Sequence, residues 1–137
     1  MRVILDTNLL LSALMRRNSV PARLVQAWLG DRFTLLTHEI QLDEFRDTSR
    51  RDRLRTRILR AEAGKLVNQV RKRADIIDHL PNVHRSIDPK DDFLLALCEA
   101  GRADYLVTGD KTGLLVLRTH AGTTILTARA FLDRLGR

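Results

Sequence analysis

Short apolar runs alternate along the chain with longer segments in which apolar residues recur at helical spacing. The runs predict strands, which lie at 2–5, 33–37, 76–77, 105–108 and 123–126. These strands are apolar on both faces, as is typical of parallel strands that are covered by helices on both sides. The alternation therefore predicts an α/β domain built on a parallel sheet.

The intervening segments predict helices at 9–15, between Ser19 and Gly30, and at 38–48, 57–73, 88–101 and 128–135. Ser19 and Thr37 are the expected N-caps of the second and third helices. Asp88-Pro89-Lys90-Asp91 is a strong helix start, with an Asp cap and Pro at the first helical position. Residues 16–18, 49–56 and 79–86 are expected to be loops or polar connections.

The length of 137 residues and a hydrophobic fraction of 44% fit a single globular domain, here 1–137, without repeats or linkers. Asp6 and Asn8 interrupt the apolar N-terminal stretch, which argues against a signal peptide. No apolar run is long enough to span a bilayer. The lone Cys98 lies in an apolar run and is expected to be a small buried residue. We therefore expect a cytoplasmic protein without membrane contact.

The chain is strongly basic, with 24 Lys and Arg against 17 Asp and Glu, a net charge of +7. This excess favours a polyanionic partner, because cationic side chains displace counterions from phosphate backbones. Genome base composition is an alternative source of many arginines. Charge alone does not choose between the two.

Candidate chemistry comes from acids expected at one edge of the sheet, since ligands of open α/β sheets bind at the carboxyl ends of the strands. Asp6 follows the first strand, and Asp110 follows the fourth. Asp92 lies in the first turn of the helix after the third strand. Glu44 lies seven residues after Thr37, on the same helical face, from which a long side chain can reach back.

Carboxylates gathered at one edge repel one another unless a cation neutralises them. Mg²⁺ and Mn²⁺ prefer such oxygen ligands and can activate water beside a phosphate. The sequence lacks a Cys or His cluster, a GxSxG motif and a GxxxxGK[ST] motif. Zinc, acyl-transfer and P-loop chemistries are therefore without support.

Each acid also has an ordinary structural interpretation. Asp6 can cap the helix that follows it, Glu44 can be a solvated helix residue, and Asp110 can belong to a turn. We assign Asp88 and Asp91 to the helix start, where acids stabilise the helix dipole.

That assignment leaves Asp92, directly before the apolar run, as the acid of the site. Asn8 is expected to hold Asp6 or to cap the helix. Thr108 is expected to orient Asp110 or a water, and Lys111 either contacts phosphate or is solvated.

The residues resemble the PIN domain family. The resemblance is carried by Ile4-Leu5-Asp6-Thr7-Asn8, by the segment Thr37 to Phe45, by Asp92-Phe93-Leu94-Leu95-Ala96-Leu97, and by Asp104-Tyr105-Leu106-Val107-Thr108-Gly109-Asp110. The resemblance covers essentially the whole chain and is strongest with the stand-alone bacterial VapC-like toxins. It implies a three-layer α/β/α fold with a central parallel sheet of about five strands. It also implies a homodimer and a cognate antitoxin that blocks the site.

The activity implied by the resemblance is Mg²⁺- or Mn²⁺-dependent endoribonuclease cleavage of RNA. Asp6, Asp92 and Asp110 would hold the metal, and Glu44 would be a further ligand or would orient the attacking water. A non-catalytic PIN-like protein that binds RNA or a partner, and a DNA-cutting relative, remain alternatives. A haloacid dehalogenase-type phosphatase would need Asp where Asn8 stands, which argues against that class. A response-regulator receiver domain would need an Asp at the end of its third strand, and Asp78 is only a poor candidate for that residue.

Lys and Arg outnumber acids between Arg46 and Arg73, and Arg50, Arg51 and Arg53 are candidate RNA contacts together with Lys111. This stripe suits an RNA backbone, a solvated helix face or a groove for an antitoxin helix. Aromatic residues make up only 4% of the chain, so base stacking is not expected to dominate recognition. A tRNA or mRNA read by its shape is the expected substrate.

Overall fold

The structure is a computed structural model that describes residues 1–109 and 112–136, and at Asp52 it describes the backbone alone. The described residues form one six-stranded sheet in the order β3-β2-β1-β4-β6-β5. Its strands are β1 (Arg2–Leu5), β2 (Thr34–Thr37), β3 (Asp75–Ile76), β4 (Tyr105–Val107), β5 (Thr119–His120) and β6 (Thr123–Leu126). All neighbouring strands are parallel except β5 and β6.

Helices connect the strands and cover the sheet. They are α1 (Thr7–Met15), α2 (Val20–Leu29), α3 (Glu39–Ser49), α4 (Asp52–Arg55), α5 (Arg60–Arg73), α6 (Asp92–Gly101), α7 (Leu114–Leu117) and α8 (Ala128–Leu135). A 3-10 helix at Pro89–Asp91 leads directly into α6. No helix within the described ranges is long and apolar enough to cross a membrane.

Side chains on the two faces of the sheet belong to separate hydrophobic cores, because successive side chains along a strand point to opposite faces. Val3 and Leu5 of β1 belong to the larger core, which also contains Trp28 of α2 and Phe131 of α8. Ile4 between them belongs to the second core, which is built largely from the apolar residues of α6. The predicted α/β class and three-layer arrangement are confirmed.

The strand register determines which chain segments meet at the carboxyl edge. Leu5 of β1 lies opposite Val107 of β4, and the backbone N–H of Asp6 donates to the carbonyl of Val107 over 2.9 Å. The residues that follow these two central strands are therefore neighbours, as predicted.

Several boundaries differ from the predictions. β5, α4 and α7 were not predicted. α5 begins at Arg60 rather than at 57, because Ile58 is buried in the core and Leu59 has an extended backbone. The prediction that Thr37 caps α3 was wrong, since His38 is the N-cap and accepts a hydrogen bond from the N–H of Ile40.

Candidate active site

Asp6 lies at the junction of β1 and α1, where hydrogen bonds from Asn8 and Thr108 hold its carboxylate. As the N-cap of α1, it accepts a hydrogen bond at Oδ1 from the N–H of Asn8 over 3.4 Å. Its Oδ2 accepts a hydrogen bond from the Thr108 hydroxyl over 2.7 Å. Only 8% of Asp6 is exposed. The capping role and a place at the carboxyl edge are thus compatible.

Thr108 is fully buried directly after β4, and its N–H donates to the carbonyl of Leu126 over 3.0 Å. Its hydroxyl therefore has a position fixed by the sheet and is aimed at Asp6. Asn8 contributes its backbone N–H to Asp6, while the residue itself is exposed.

A cleft of about 410 Å³ opens beside Asp6 at the carboxyl edge. Two further acids line it, and both come from the segment that starts α6. Its lining residues are Asp6, Asn8, Leu9, Ser12, Asp88, Asp91 and Gly109. The structure therefore brings Asp6 together with Asp88 and Asp91, the two acids that the sequence analysis assigned to the helix start.

Asp88 also performs the capping role predicted for it, because its Oδ1 accepts a hydrogen bond from the N–H of Lys90 over 3.0 Å. Asp91 ends the 3-10 helix and is half-buried.

Asp92 does not line this cleft, and its carboxylate holds the preceding loop. Its Oδ1 accepts hydrogen bonds from the N–H of Ser86 over 2.9 Å, from the N–H of Arg85 over 3.2 Å and from the Ser86 hydroxyl. The Ser86 hydroxyl, followed by the backbone donors, lowers the pKa of Asp92 below its usual value. An ionised Asp92 thus fixes residues 85–86 against α6.

The same loop is tied to β5 through the Arg85 side chain. Its Nη1 lies 2.8 Å from the carbonyl of Thr119 and 2.9 Å from Nδ1 of His120. Because a guanidinium only donates, Nδ1 of His120 is the acceptor. The ring proton is therefore on Nε2, which donates to Oε2 of Glu99 over 2.6 Å. The segment that presents Asp88 and Asp91 is therefore anchored at both α6 and β5.

Glu44 is half-buried on α3 and does not line the cleft. One turn earlier on the helix lies Gln41, which is 1% exposed. The Gln41 amide donates to the carbonyl of Leu5 over 2.7 Å and accepts from the Thr37 hydroxyl over 2.7 Å. Residues three apart share a helix face, so Glu44 follows Gln41 on the side of α3 that meets the end of β1.

Two predicted residues, Asp110 and Lys111, lie outside the described residues. Of the candidate RNA contacts, Arg51 is the exposed N-cap of α4, and Arg53 is exposed within it. Arg50 ends α3 and lines a pocket on that side of the molecule.

Comparison with known proteins identifies this architecture. Residues 2–112 match the family model of the PIN domain. The chain belongs to the PIN domain family. No curated protein matches the chain in sequence.

A solved structure of a VapBC2 complex from Rickettsia felis, bound to a DNA fragment from its promoter, has a similar fold. The similarity has a TM-score of 0.61 at 15% sequence identity and covers 93% of this chain and 98% of the other. At that identity the similarity establishes a shared fold.

The donor chemistry of this PIN domain's cleft fits a hard divalent cation, because its charged groups are carboxylates. Within 1–109 and 112–136, however, no three His, Cys, Asp or Glu side chains are grouped closely enough to hold a metal ion. Cys98 takes no part, because burial raises the pKa of its thiol to about 12.

Sequence reasoning did not name Gln41 or Ser86, and it assigned the cleft-lining Asp88 and Asp91 to the helix start. Gln41 and Ser86 are polar residues whose contacts are long-range or cross a loop, so no local pattern reveals them. Asp91 was considered and given a helix-start role. The sequence signal that favours Asp91 is Pro89 at the helix start, because it precedes a 3-10 turn that leads into the apolar helix.

Proposed function

We propose that this PIN domain is a metal-dependent endoribonuclease and the toxin of a type II toxin–antitoxin pair. The observation that carries the proposal is the convergence of Asp6 and Asp91 on one cleft at the carboxyl edge of β1 and β4, in a chain of this family. A cognate antitoxin that blocks the cleft, and a homodimeric assembly, are expected by resemblance to VapC-like proteins.

In this proposal Asp6, Asp91 and Asp110 hold the cation, and Glu44 and Asp88 are outer acids. Mg²⁺ or Mn²⁺ would supply Lewis-acid chemistry, which neutralises charge on a phosphodiester and favours ionisation of water. Thr108 keeps Asp6 oriented, as partners of metal-binding carboxylates commonly do. Gln41 fixes the end of β1 and thereby the position of Asp6.

Asp92 was the sequence-based choice for this role, and it supports the site in a different way here. Its hydrogen bonds to Ser86 and Arg85 stabilise the loop before Asp88. Consecutive residues differ by about 100° around an α-helix and by about 120° around a 3-10 helix, so only one of Asp91 and Asp92 is expected to face the cation.

The test is cleavage of total RNA by purified protein with Mn²⁺ or Mg²⁺, with and without EDTA. We expect cleavage that EDTA abolishes and that Asp6→Asn loses. Asp133→Asn, which neutralises an exposed acid on α8, is the matched control and should cleave as the wild type does.

Other outcomes of this assay choose between the alternatives. Cleavage of single-stranded DNA but not RNA would indicate a DNA-cutting relative. Metal binding without cleavage of either substrate would indicate a non-catalytic PIN-like binding protein. Full activity of Asp6→Asn would refute the proposed site.

A further inference from the structure

The contacts between Arg85 and β5 lie outside the cleft, and the proposed nuclease chemistry does not use them. The Arg85 guanidinium donates to the carbonyl of Thr119 and to Nδ1 of His120. His120 is 9% exposed, and its Nε2–H donates to Glu99 on α6 over 2.6 Å. We call Arg85, His120 and Glu99 the clamp, because together they join the loop before α6 to the edge strand of the sheet.

The clamp holds only while His120 is neutral. A guanidinium has no acceptor, so the hydrogen bond from Arg85 needs the lone pair of Nδ1. Protonation of the imidazole places a hydrogen on that nitrogen and turns the contact of 2.9 Å into one between two cations. Histidine is the side chain that ordinarily changes charge between about pH 5 and pH 8. The contact is therefore expected to break as the pH falls through this range.

In the part of the chain that the structure describes, two charged groups contact His120, and they act in opposite directions. Glu99 on α6 favours the charged imidazole, whereas Arg85 on the loop opposes it. None of the ion pairs among the described residues neutralises Arg85. The Cys98 thiol on α6 stays protonated, because burial raises its pKa to about 12. The residues of β6 that pair with β5 are uncharged threonines. Arg85 is therefore the group that protonation of His120 displaces.

A short chain of hydrogen bonds leads from the clamp to the acids of the cleft. Ser86 follows Arg85, and its hydroxyl donates to the carbonyl of Asp88 over 2.6 Å. The N–H of Asp91 donates to the same carbonyl over 2.9 Å. Asp88 and Asp91 both line the cleft. A displacement of Arg85 therefore loosens the backbone that positions both acids.

A second attachment of the same loop does not change over this pH range. Asp92 accepts hydrogen bonds from the backbone N–H groups of Arg85 and Ser86, and its lowered pKa keeps it ionised. The loop therefore stays tied to α6 when the clamp opens. Loss of the clamp is expected to loosen residues 86–91 rather than to unfold them.

We propose that Arg85 and His120 are positioning residues for the acids at the start of α6, and that protonation of His120 releases Arg85 and loosens residues 86–91. The effect of this release on metal binding rests on the proposed function. A looser segment holds Asp91 less firmly beside Asp6, so the cleft should bind a divalent cation more weakly in mild acid. Because such coupling is reciprocal, a bound cation should in turn oppose protonation of His120.

The first measurement is made in EDTA and concerns the clamp alone. NMR relaxation of the backbone amides is compared at about pH 7.5 and about pH 5.5, on either side of the ordinary histidine titration. In the wild type, the order parameters of residues 86–91 should fall in acid from about 0.85 toward about 0.6. His120→Gln keeps an acceptor and a donor but does not titrate, so its segment should be equally ordered at both pH values. His84→Gln, at an exposed histidine next to Arg85, is the matched control and should behave as the wild type does.

Calorimetric titration with Mn²⁺ then measures the effect on the cleft. The wild type should bind Mn²⁺ about fivefold or more weakly at the lower pH. Carboxylates that share the cleft can also bind protons in this range, so the test is the difference between the wild type and His120→Gln, which should lack most of the loss. Arg85→Ala should have the weaker affinity at both pH values. Glu99→Gln removes the charge that favours a protonated His120, so the loss of affinity should move to lower pH.

Three results would overturn the proposal. They are unchanged order of residues 86–91 in acid, the same loss of order in His120→Gln, or a pH dependence of Mn²⁺ affinity that is the same in the wild type and in His120→Gln. If the segment loosened as described but no Mn²⁺ bound at either pH, the clamp would stand and the proposed metal-dependent function would fail.

Discussion

The hydrogen bond from Thr108 to Asp6 links the two central strands at the proposed site, and Thr108→Val removes it with little change in shape. A hydrogen bond to a charged group stabilises a protein by about 1.5–3 kcal/mol. Asp6 borders the cleft, so water can replace part of that bond. We therefore expect the bond itself to contribute about 1–2 kcal/mol.

A double-mutant cycle isolates this contribution from the capping role of Asp6. The free energies of unfolding of the wild type, Thr108→Val, Asp6→Ala and the double variant are measured by urea denaturation in EDTA, which prevents stabilisation by bound metal. The loss of the α1 cap occurs in both Asp6→Ala proteins and cancels. The coupling energy should be about 1–2 kcal/mol, and Thr108→Val alone should lower Tm by about 4–8 °C.

A coupling energy below about 0.5 kcal/mol, the usual limit of additivity, would refute this reasoning. The cycle also bears on the proposed function. If Asp6 holds a metal, loss of its partner should weaken Mn²⁺ affinity by about tenfold or more. Thr108→Ser, which keeps the hydroxyl, should retain most of that affinity.

Three further predictions follow from the geometry. Asp91→Asn should abolish metal-dependent cleavage, whereas Asp92→Asn should retain most of it. Both variants are assayed at a temperature at which each is fully folded, and the reverse pattern would restore Asp92 to the site. The pKa of Asp92 is lowered in the folded protein, so its stabilisation is present above the unfolded pKa and is lost as pH falls through the lowered folded value. The protection of the Ser86 amide from hydrogen exchange, taken relative to the intrinsic exchange rate at each pH, should therefore fall in acid, and this fall should be absent from Asp92→Asn. Gly64→Ala in α5, where an added Cβ would meet no atom within 4 Å, should raise the free energy of unfolding by about 1 kcal/mol, and a fall would show that the helix needs glycine there.

Local patterns were enough to predict the central part of the fold. β1 and β4 are short apolar runs followed by polar residues, and the carboxyl ends of neighbouring parallel strands meet at one edge. That rule placed Asp6 at the edge where β4 ends, but it did not predict the hydrogen bond from the Thr108 hydroxyl to Asp6. β5 could not be predicted in this way, because it is two residues long and pairs antiparallel to β6.

The orientation of the residues that lead into α6 could not be read from the apolar spacing alone. The helix is preceded by a 3-10 turn, which has about 3.0 residues per turn rather than 3.6. The position of Asp92 directly before the apolar run favoured it in the sequence, whereas in the structure Asp91 lines the cleft. The Ser86 contact that occupies Asp92 joins a loop to the helix and has no sequence period.

The distribution of charge explains why a basic chain would still need a cation at its proposed site. Among the described residues that line the cleft, Asp6, Asp88 and Asp91 are acidic and none is Lys or Arg. The net charge of +7 can attract RNA from a distance, yet close approach of a phosphate to the cleft is opposed by its carboxylates. Under the proposed function, the arginines and the metal have separate tasks: the basic surface sets the salt dependence of association, and the metal permits the phosphate to enter. Removal of metal should then abolish cleavage while leaving much of the salt-dependent RNA binding intact, and a parallel loss of both would show that the cleft itself provides the affinity.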